Sequence, residues 1–367
     1  MSEEKNVKSI TFLLPDVGVK PAGGYKIVLD YANALVNAGY SVHIVYPCTI
    51  SFVKSNLKMK FKMLLRWFKY FFNYSAKKWY HINEKISEHF VLSLNYNFLP
   101  KTHIYVATAV ATSEYLKDYP ISEKQKFYFI QDFETWNHSE EYVRKSYHYP
   151  LQKIVISKWL EEIVKTQEGQ GCIVVPNGFS SQLYHITIPI EEKDQYSVSM
   201  LYNDRPQKDM KTGLEALNLV HEKVPQLKVH LFGTKKIQYN LPDWIQFHHN
   251  PSYEEHLYIN NHCSIYLGSS KLEGWGLTVG EAMMCGQAVV CTNNKGYLEM
   301  ANDGYNALVS EICDPQKLAD NIIKLINDKN LRYNIANNGY ESIKLFKEET
   351  SADTFVKIMD SVLSSCN

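Results

Sequence analysis

The sequence lacks the features that would place it in several large classes of protein. No run of apolar residues approaches the roughly 20 that a membrane-spanning helix needs. Its 39 basic and 39 acidic side chains give a formal net charge of +0, so no overall charge attracts nucleic acid. The seven cysteines include no Cys-x-x-Cys pair, and the N-terminus has no signal-peptide pattern. These absences predict a cytoplasmic protein that neither crosses a membrane nor binds nucleic acid.

Two common ligand-binding patterns are also missing. There is no Asp-x-Asp, and the histidines show no paired zinc spacing, so we expect no bound metal ion. Residues 18–24 do not contain the Gly-x-Gly-x-x-Gly fingerprint of dinucleotide-binding folds, which argues against an NAD-dependent oxidoreductase. The sequence therefore predicts a protein without a cofactor.

The organisation of the chain predicts two α/β domains. A length of 367 residues exceeds what one hydrophobic core normally organises, and 45% apolar residues suffice for two cores. Short apolar runs alternate with helical stretches, as in doubly wound parallel sheets. These runs are residues 10–15, 39–46, 103–108, 127–131, 153–157, 196–202, 228–233, 263–268 and 288–292. A charged, proline-containing stretch ending at Asp194 indicates a linker, so we divide the chain into 1–190, 191–345 and a terminal helix at 346–367.

The most informative segment sets two carboxylates around a glycine turn. Gly274, Trp275 and Gly276 follow the buried strand predicted at 263–268. The turn therefore lies at a strand's carboxyl end, where open α/β sheets bind ligands. Glycine there allows a ligand to approach the backbone closely.

The helix after this turn, which begins at Leu277 and Thr278, presents its N-terminus to the same place. Unpaired backbone N–H groups and the helix dipole suit a phosphate or the polar face of a sugar. Glu281, one turn inside the helix, is placed to accept two hydrogen bonds from a ribose diol. Glu273 would face the sugar hydroxyls. The alternative is that both are ordinary carboxylates of a helix and its first turn.

The segment resembles the Glu-x7-Glu motif of family 4 glycosyltransferases, whose two-domain fold is called GT-B. Three further segments agree with that resemblance. Gly23 and Gly24 lie between a strand and a helix as in the family's opening, 174–179 resembles the segment before its interdomain linker, and 200–208 resembles its Arg…Lys pyrophosphate clamp. Together these segments span nearly the whole chain.

This resemblance implies two Rossmann-like domains facing a cleft, the first binding the acceptor and the second the donor, with the last helix crossing back to the first domain. It also implies that Arg205 and Lys208 bind the departing diphosphate and that Glu273 serves catalysis. An arginine fork matches phosphate oxygens, and a lysine acts as a mobile point charge. The family usually has glycine where this chain has Asp209, so Lys211 stays an alternative to Lys208 as the phosphate ligand.

The acceptor side is assigned to a polar and aromatic cluster at the end of the strand predicted at 127–131. Gln131, Asp132, Glu134 and Trp136 supply amide, carboxylate and aromatic groups that suit sugars. Many family members have His-Asp at this strand end, and Gln131 excludes an imidazole base there. The Gln-Asp-Phe-Glu sequence is similar to the branch that contains bacterial rhamnosyltransferases of surface glycans. The alternative is a loop in which Asp132 caps the next helix.

The implied activity is a retaining transfer of a hexose, with L-rhamnose preferred, from a dTDP-sugar or UDP-sugar. The acceptor would be a growing surface glycan or a lipid-linked oligosaccharide, and the leaving phosphate would take the acceptor proton. A double displacement would instead need a carboxylate nucleophile, for which Asp132 and Glu134 stay open. A non-catalytic GT-B subunit is the main alternative function, and an epimerase or phosphorylase could share the fold.

Residues 51–83 break the balance of charge, because they contain eight cations and no acidic residue. The cations are Lys54, Lys58, Lys60, Lys62, Arg66, Lys69, Lys77 and Lys78. Between about 54 and 78, helical spacing sets phenylalanines and leucines on one face and cations beside them. Such a helix, with aromatics suited to headgroups, predicts peripheral association with the anionic inner face of a plasma membrane. The alternative is that the apolar face packs on the domain core.

Overall fold

The computed structural model describes residues 7–17, 22–48, 57–168, 171–238 and 240–364. The chain divides into two compact units, Met1–Pro176 with Thr350–Asn367, and Asn177–Glu349. Residues 18–21 and Lys54, which the sequence analysis used, lie outside the described residues.

The first unit is built on a parallel sheet. Its strands are β1 (Ser9–Leu13), β2 (Ser41–Pro47), β3 (Ser87–Val91), β4 (Ile104–Ala107), β5 (Lys126–Ile130), β6 (Gln152–Val155) and β7 (Ile173–Val174). They lie in the order β3-β2-β1-β4-β5-β6-β7. The helices between them are α1 (Gly23–Asn37), α2 (Leu57–Asn73), α3 (Val110–Leu116), α4 (Glu140–Ser146) and α5 (Lys158–Glu168). All five residues of β5 are buried, as expected for a central strand covered on both faces.

The second unit has a six-stranded parallel sheet. Its strands are β8 (Asp194–Leu201), β9 (Lys228–Gly233), β10 (Ile245–His249), β11 (Cys263–Gly268), β12 (Ala288–Thr292) and β13 (Ala307–Ser310). They lie in the order β10-β9-β8-β11-β12-β13. The helices are α6 (Met210–Lys223), α7 (Tyr253–His262), α8 (Leu277–Met284), α9 (Pro315–Asn327) and α10 (Lys329–Ile343). Every residue of β11 and β12 is buried, which places the centre of this core beside α8.

The last helix, α11 (Glu348–Ser364), returns the chain to the first unit. The Phe355 ring stacks on Tyr31 with a centroid distance of 4.4 Å and also contacts Phe12. Asp360 accepts hydrogen bonds from the Lys8 ammonium at 2.6 Å and the Tyr40 hydroxyl at 2.7 Å. These contacts make α11 part of the first core. The predicted fold class, with two doubly wound parallel sheets and a returning last helix, is confirmed.

The segment at the start of the second unit packs within that unit. The Phe179 N–H donates to the Phe346 carbonyl at 2.8 Å. A Cβ on Gly178 would lie 2.3 Å from the Lys347 backbone, so only glycine allows this approach. The sequence placed the domain division at 190/191, whereas these contacts set residues 177–190 within the second unit. The buried Phe179 and Tyr184 side chains explain the difference.

Candidate functional site

The connection from β11 to α8 forms the predicted glycine turn. Gly276 precedes α8 with φ +104°, a left-handed conformation that favours glycine. A Cβ at this position would also lie 2.5 Å from the Tyr297 ring. Two constraints therefore require glycine at 276, the left-handed backbone conformation and the close approach of the Tyr297 ring. The turn directs the N-terminus of α8 towards the carboxyl end of β11.

Glu273 and Lys208 meet at this turn. The Lys208 Nζ lies 2.5 Å from the Glu273 Oε1, and only 8% of the Glu273 surface is exposed. Ser270 donates to the same oxygen at 2.7 Å, and the Tyr297 hydroxyl donates to Ser270 at 3.0 Å. Lys208 is therefore held in a hydrogen-bonded cluster and is not a free surface cation. A phosphate entering here would meet an ammonium that is already oriented.

Two contacts hold the loops that carry these side chains. The Lys271 N–H donates to the Gln207 carbonyl at 2.8 Å, and the Ser269 hydroxyl donates to the Lys208 carbonyl at 3.2 Å. Lys208 itself ends a single 3₁₀ turn, Pro206–Lys208, just before α6. Loop and turn are thereby joined through their backbones.

Asp209, where glycine was expected, adopts the backbone conformation that glycine would favour. Its φ is +46°, and aspartate is among the few other residues that tolerate this region. The carboxylate accepts from the Thr212 hydroxyl at 2.7 Å and lies 3.4 Å from the Lys271 Nζ. The geometry of the loop is thus kept. Lys208 contacts Glu273, whereas Lys211 is exposed on α6.

Arg205 lies next to this cluster without joining it. Its side chain is exposed, its backbone N–H donates to Asn203 Oδ1 at 3.1 Å, and its carbonyl accepts from the Lys208 N–H at 2.9 Å. The structure thus brings together Lys208 and Glu273 and leaves the guanidinium of Arg205 pointing to solvent.

Glu281 lies further along α8 and is also buried, with 8% of its surface exposed. The pKa of Tyr184 is raised well above its ordinary value by burial and by the charge of Glu281, to which its hydroxyl is hydrogen-bonded. Between the two carboxylates, the Tyr266 hydroxyl donates to Thr278 Oγ1 at 2.7 Å, which fixes the first turn of α8.

Trp275 has a structural contact rather than an exposed face. Its ring packs edge-on to Phe346 at 5.3 Å and is 2% exposed. Its indole N–H is buried and has no hydrogen-bond partner among the described residues. Any contribution of Trp275, Gly274 and Leu277 to donor binding would therefore come largely from their backbones.

In the first unit, two of the predicted residues lie side by side. A Cβ on Gly24 would come 3.4 Å from the Gln131 amide oxygen, so Gln131 packs against the glycine pair, Gly23 and Gly24, that starts α1. Asp132 accepts from the Phe133 N–H at 2.8 Å. Trp136 is half-buried in the following turn.

Glu134 differs from the other carboxylates of this cluster. Its Oε1 accepts from the Val110 N–H at the start of α3, at 3.1 Å. Burial raises its pKa to about 8, with a further increase from Asp132, and the Val110 N–H opposes the shift. Near neutral pH the Glu134 carboxyl therefore carries a proton and can donate a hydrogen bond.

Helix α2 packs by one edge and exposes its apolar face. The Trp67 indole donates to the Phe90 carbonyl of β3 at 3.0 Å, so this ring faces the sheet and not a lipid headgroup. The exposed large side chains are Leu57, Phe61, Leu65, Phe68, Phe71 and Phe72. The structure therefore contradicts the alternative that this apolar face packs on the domain core.

Among the described residues, no helix is long and apolar enough to cross a membrane. Nor do those residues bring three or more His, Cys, Asp or Glu side chains together in a group that could hold a metal ion.

Part of the second unit is similar to a known protein family. Residues 186–342 match the family described as Glycosyl transferases group 1. The match covers these residues of the second unit and less than half of the whole chain. The match contains Lys208, Glu273 and Glu281, and it ends just before the segment that returns to the first unit.

Two curated relatives are glycosyltransferases. An uncharacterised glycosyltransferase of Methanocaldococcus jannaschii is 25% identical over 205 residues, which cover 53% of this chain and 55% of the relative. The Campylobacter jejuni N,N'-diacetylbacillosaminyl-diphospho-undecaprenol alpha-1,3-N-acetylgalactosaminyltransferase is 29% identical over 103 residues, 28% of this chain and 27% of that enzyme. The chain thus spans about half or less of the length of these relatives.

A solved structure shows the same fold over almost the whole chain. Anabaena HepE in complex with UDP-glucose has a TM-score of 0.72 and 16% identity, and the match covers 96% of this chain and 99% of that one. The chain therefore has the GT-B fold.

Sequence reasoning missed the partners that orient the two buried carboxylates of the second unit, Glu273 and Glu281. Ser270 and Tyr297 hold Glu273, and Tyr184 holds Glu281. Serine and tyrosine at these places form no recognisable motif, because the contacts join residues that are distant along the chain. No signal in one sequence identifies them.

Proposed function

We propose that the protein is a retaining glycosyltransferase that moves a hexose from a nucleoside diphosphate sugar to a growing bacterial surface glycan or a lipid-linked acceptor. The observation that carries this proposal is the cluster at the N-terminus of α8, where Lys208 lies 2.5 Å from Glu273 within a group 1 glycosyltransferase domain. An oriented ammonium beside unpaired helix N–H groups stabilises the charge that develops on a departing diphosphate.

The roles follow from the positions of the side chains. Lys208, supported by the exposed Arg205, neutralises the diphosphate, Glu273 faces the transferred sugar, and Glu281 accepts the ribose hydroxyls. The leaving phosphate takes the proton of the acceptor hydroxyl. In the first unit, Asp132 and protonated Glu134 bind acceptor hydroxyls.

The donor we propose is dTDP-L-rhamnose, with a UDP-sugar as the second candidate. The resemblance of Gln131 and Asp132 to the rhamnosyltransferase branch supports the first. A carboxylate that grips both ribose hydroxyls supports the second, because deoxyribose offers Glu281 only one. The structure of Anabaena HepE is a complex with UDP-glucose, and the name of the Campylobacter enzyme describes a diphospho-undecaprenol acceptor.

The first test is thermal unfolding of the protein with UDP, GDP, dTDP and their sugars. A ligand at about 100 times its Kd stabilises the folded state by about 2.7 kcal/mol. We expect one nucleotide to raise the Tm of the native protein but not that of Glu281→Ala or Arg205→Ala. Asp132→Asn, in the first unit, should keep the response and lose transfer to the acceptor, with product anomers read by NMR.

The contrary results are equally specific. If no nucleotide raises any Tm, the donor site fails and the non-catalytic subunit takes precedence. If nucleotides bind and donor sugar is never consumed, the binding role stands and the transferase role fails.

We also propose that α2 lies on an anionic membrane surface. Phe61 and Phe72 are 62% and 74% exposed, and four cations lie beside the apolar face. The cations are Lys58, Lys62, Arg66 and Lys69. A phenylalanine buried in an interface contributes about 1.5–3 kcal/mol, and each cation near anionic lipid about 1 kcal/mol. Exposing such a row of phenyl rings to water is unfavourable, and inserting it into a lipid interface is favourable.

Vesicle flotation tests this surface. We expect binding to phosphatidylglycerol vesicles that falls with salt, and Phe61→Ser/Phe72→Ser should weaken it by at least about tenfold. The matched control, Phe98→Ser/Leu345→Ser, removes two side chains that are 57% and 80% exposed outside α2, and it should bind as the native protein does. Equal loss in both double variants, or equal binding to neutral phosphatidylcholine, would rule out the proposed surface.

A further inference from the structure

A buried row of polar side chains leads away from Glu281. The Tyr184 hydroxyl is hydrogen-bonded to Glu281, and its oxygen lies 3.4 Å from His256 Nδ1. On the other side of the imidazole, His256 Nε2 lies 3.2 Å from the Asn260 side-chain nitrogen. His256 and Asn260 are both on α7. Asn260 is buried, and the His256 ring lies 4.5 Å from that of the buried Phe232. The donor-site carboxylate is thus connected to a second helix.

The row continues to the centre of the sheet. The Gln287 side-chain nitrogen donates to Asn260 Oδ1 at 2.7 Å, and the Ser199 hydroxyl donates to Gln287 Oε1 at 2.7 Å. Ser199 lies on β8, and Gln287, Asn260 and Ser199 are at most 1% exposed. Each of these buried groups has its partner, as low dielectric demands.

The hydrogen bonds of this row all run in one direction. Because Gln287 donates to the Asn260 oxygen, Asn260 presents its N–H groups to His256, and Nε2 must accept. Burial lowers the pKa of His256 to about 4, so the ring is neutral and its single proton is on Nδ1. That N–H donates to the Tyr184 oxygen. The Tyr184 hydrogen is then directed to Glu281, which accepts it.

We propose that Tyr184, His256 and Asn260 are positioning residues that hold the Glu281 carboxylate in the orientation that accepts the ribose hydroxyls of the donor. The inference rests on the proposed donor function and deepens it. A glutamate has three side-chain torsions, and fixing them before binding reduces the entropy cost of capturing the nucleotide.

The polarity of the row is essential to this role. If it ran the other way, His256 Nδ1 would accept the Tyr184 hydrogen, and Glu281 would lose its donor. Apolar residues could fill the same space, but they would donate no hydrogen bond towards Glu281. The need to donate a hydrogen bond to Glu281 therefore explains why polar side chains occupy this part of the core.

The test measures preference for ribose hydroxyls and not affinity alone. By calorimetry, UDP, GDP and dTDP are each compared with the analogue that lacks every ribose hydroxyl, using the full chain. We expect the native protein to prefer the hydroxylated form by about tenfold or more. Tyr184→Phe, which removes one hydroxyl, should reduce that preference at least about threefold.

A second test variant and a matched control complete the experiment. Asn260→Asp keeps the shape but replaces the donor to His256 by an acceptor. The ring proton then lies on Nε2, Nδ1 accepts the Tyr184 hydrogen instead of Glu281, and the preference should fall in the same way. Tyr253→Phe is the matched control, because its ring contacts Tyr184 edge-on at 5.9 Å and its hydroxyl has no hydrogen-bond partner in the part of the chain that the structure describes. This control should keep the native preference, and melting curves establish that each variant is folded.

The outcomes separate this inference from the donor function. A lower preference in Tyr184→Phe and Asn260→Asp, with Tyr253→Phe unchanged, supports it. Loss of affinity for both forms of a nucleotide by the same factor, or an unchanged preference, overturns it and assigns the row a structural role. If Glu281→Ala keeps the native preference, the ribose assignment itself is wrong. If no nucleotide binds, the donor function fails with it.

Discussion

Lys208→Met is expected to lower kcat for sugar transfer by about a hundredfold to a thousandfold, the usual effect of removing one group that stabilises developing charge. The reason is geometric, since Nζ is held 2.5 Å from Glu273 at the place where the diphosphate would depart. The matched control is Lys211→Met on the exposed face of α6, which removes an equal charge three residues away. Initial rates at saturating donor give kcat for both variants.

Stability must be separated from catalysis in this experiment, because Lys208→Met leaves the buried Glu273 carboxylate without its cation. Breaking such a pair costs about 3–5 kcal/mol when both partners are buried. The double variant Lys208→Met/Glu273→Gln removes the unpaired charge and should melt closer to the native protein while staying inactive. A large loss of kcat in Lys211→Met with a native rate in Lys208→Met would assign the phosphate contact to Lys211.

Gly280→Ala is expected to destabilise the second unit by about 1–3 kcal/mol, the usual cost of overpacking. A Cβ at 280 would lie 2.0 Å from the Phe179 ring, which is itself fixed by its backbone hydrogen bond to Phe346. Alanine is favoured over glycine in a helix by about 1 kcal/mol, and the clash exceeds that gain. Denaturant unfolding followed by a probe in the second unit gives the midpoint.

A second helical glycine provides the comparison for this prediction. At Gly339 in α10, the nearest atom to an added Cβ would be Met283 Cγ at 3.3 Å, and a methionine chain can yield. Gly339→Ala should therefore change stability by less than about 1 kcal/mol. Phe179→Leu should restore part of the stability lost in Gly280→Ala. A midpoint that rises in Gly280→Ala would show that the ring moves freely and would refute the proposed packing.

The strands that the sequence predicted are the central ones of each sheet. The described strands that it did not predict, β3, β7, β10 and β13, are the four sheet edges. Central parallel strands are buried on both faces and therefore appear as continuous apolar runs. Edge strands such as Ile245–His249 include exposed positions, and the polar residues there break the apolar run.

Only part of the candidate site could be located from the sequence. The turn at Gly276 could be located because its signals are adjacent in the chain, a strand followed by glycines and a helix. The neighbours of Glu273 could not be located, because Tyr297 reaches Ser270 only once β12 has been laid beside β11. The raised pKa of Glu134 depends on burial, which no motif reports.

The sequence by itself determined where the central strands of each sheet lie, where the glycines lie, and that Glu273 and Glu281 flank one helix N-terminus, because these depend on short-range backbone preferences and periodicity. Only the tertiary structure decided that Lys208 meets Glu273, that Tyr184 and His256 stand behind Glu281, and that α2 packs through Trp67 while exposing its phenylalanines. These contacts join residues far apart along the chain, and their strength depends on desolvation that only packing produces.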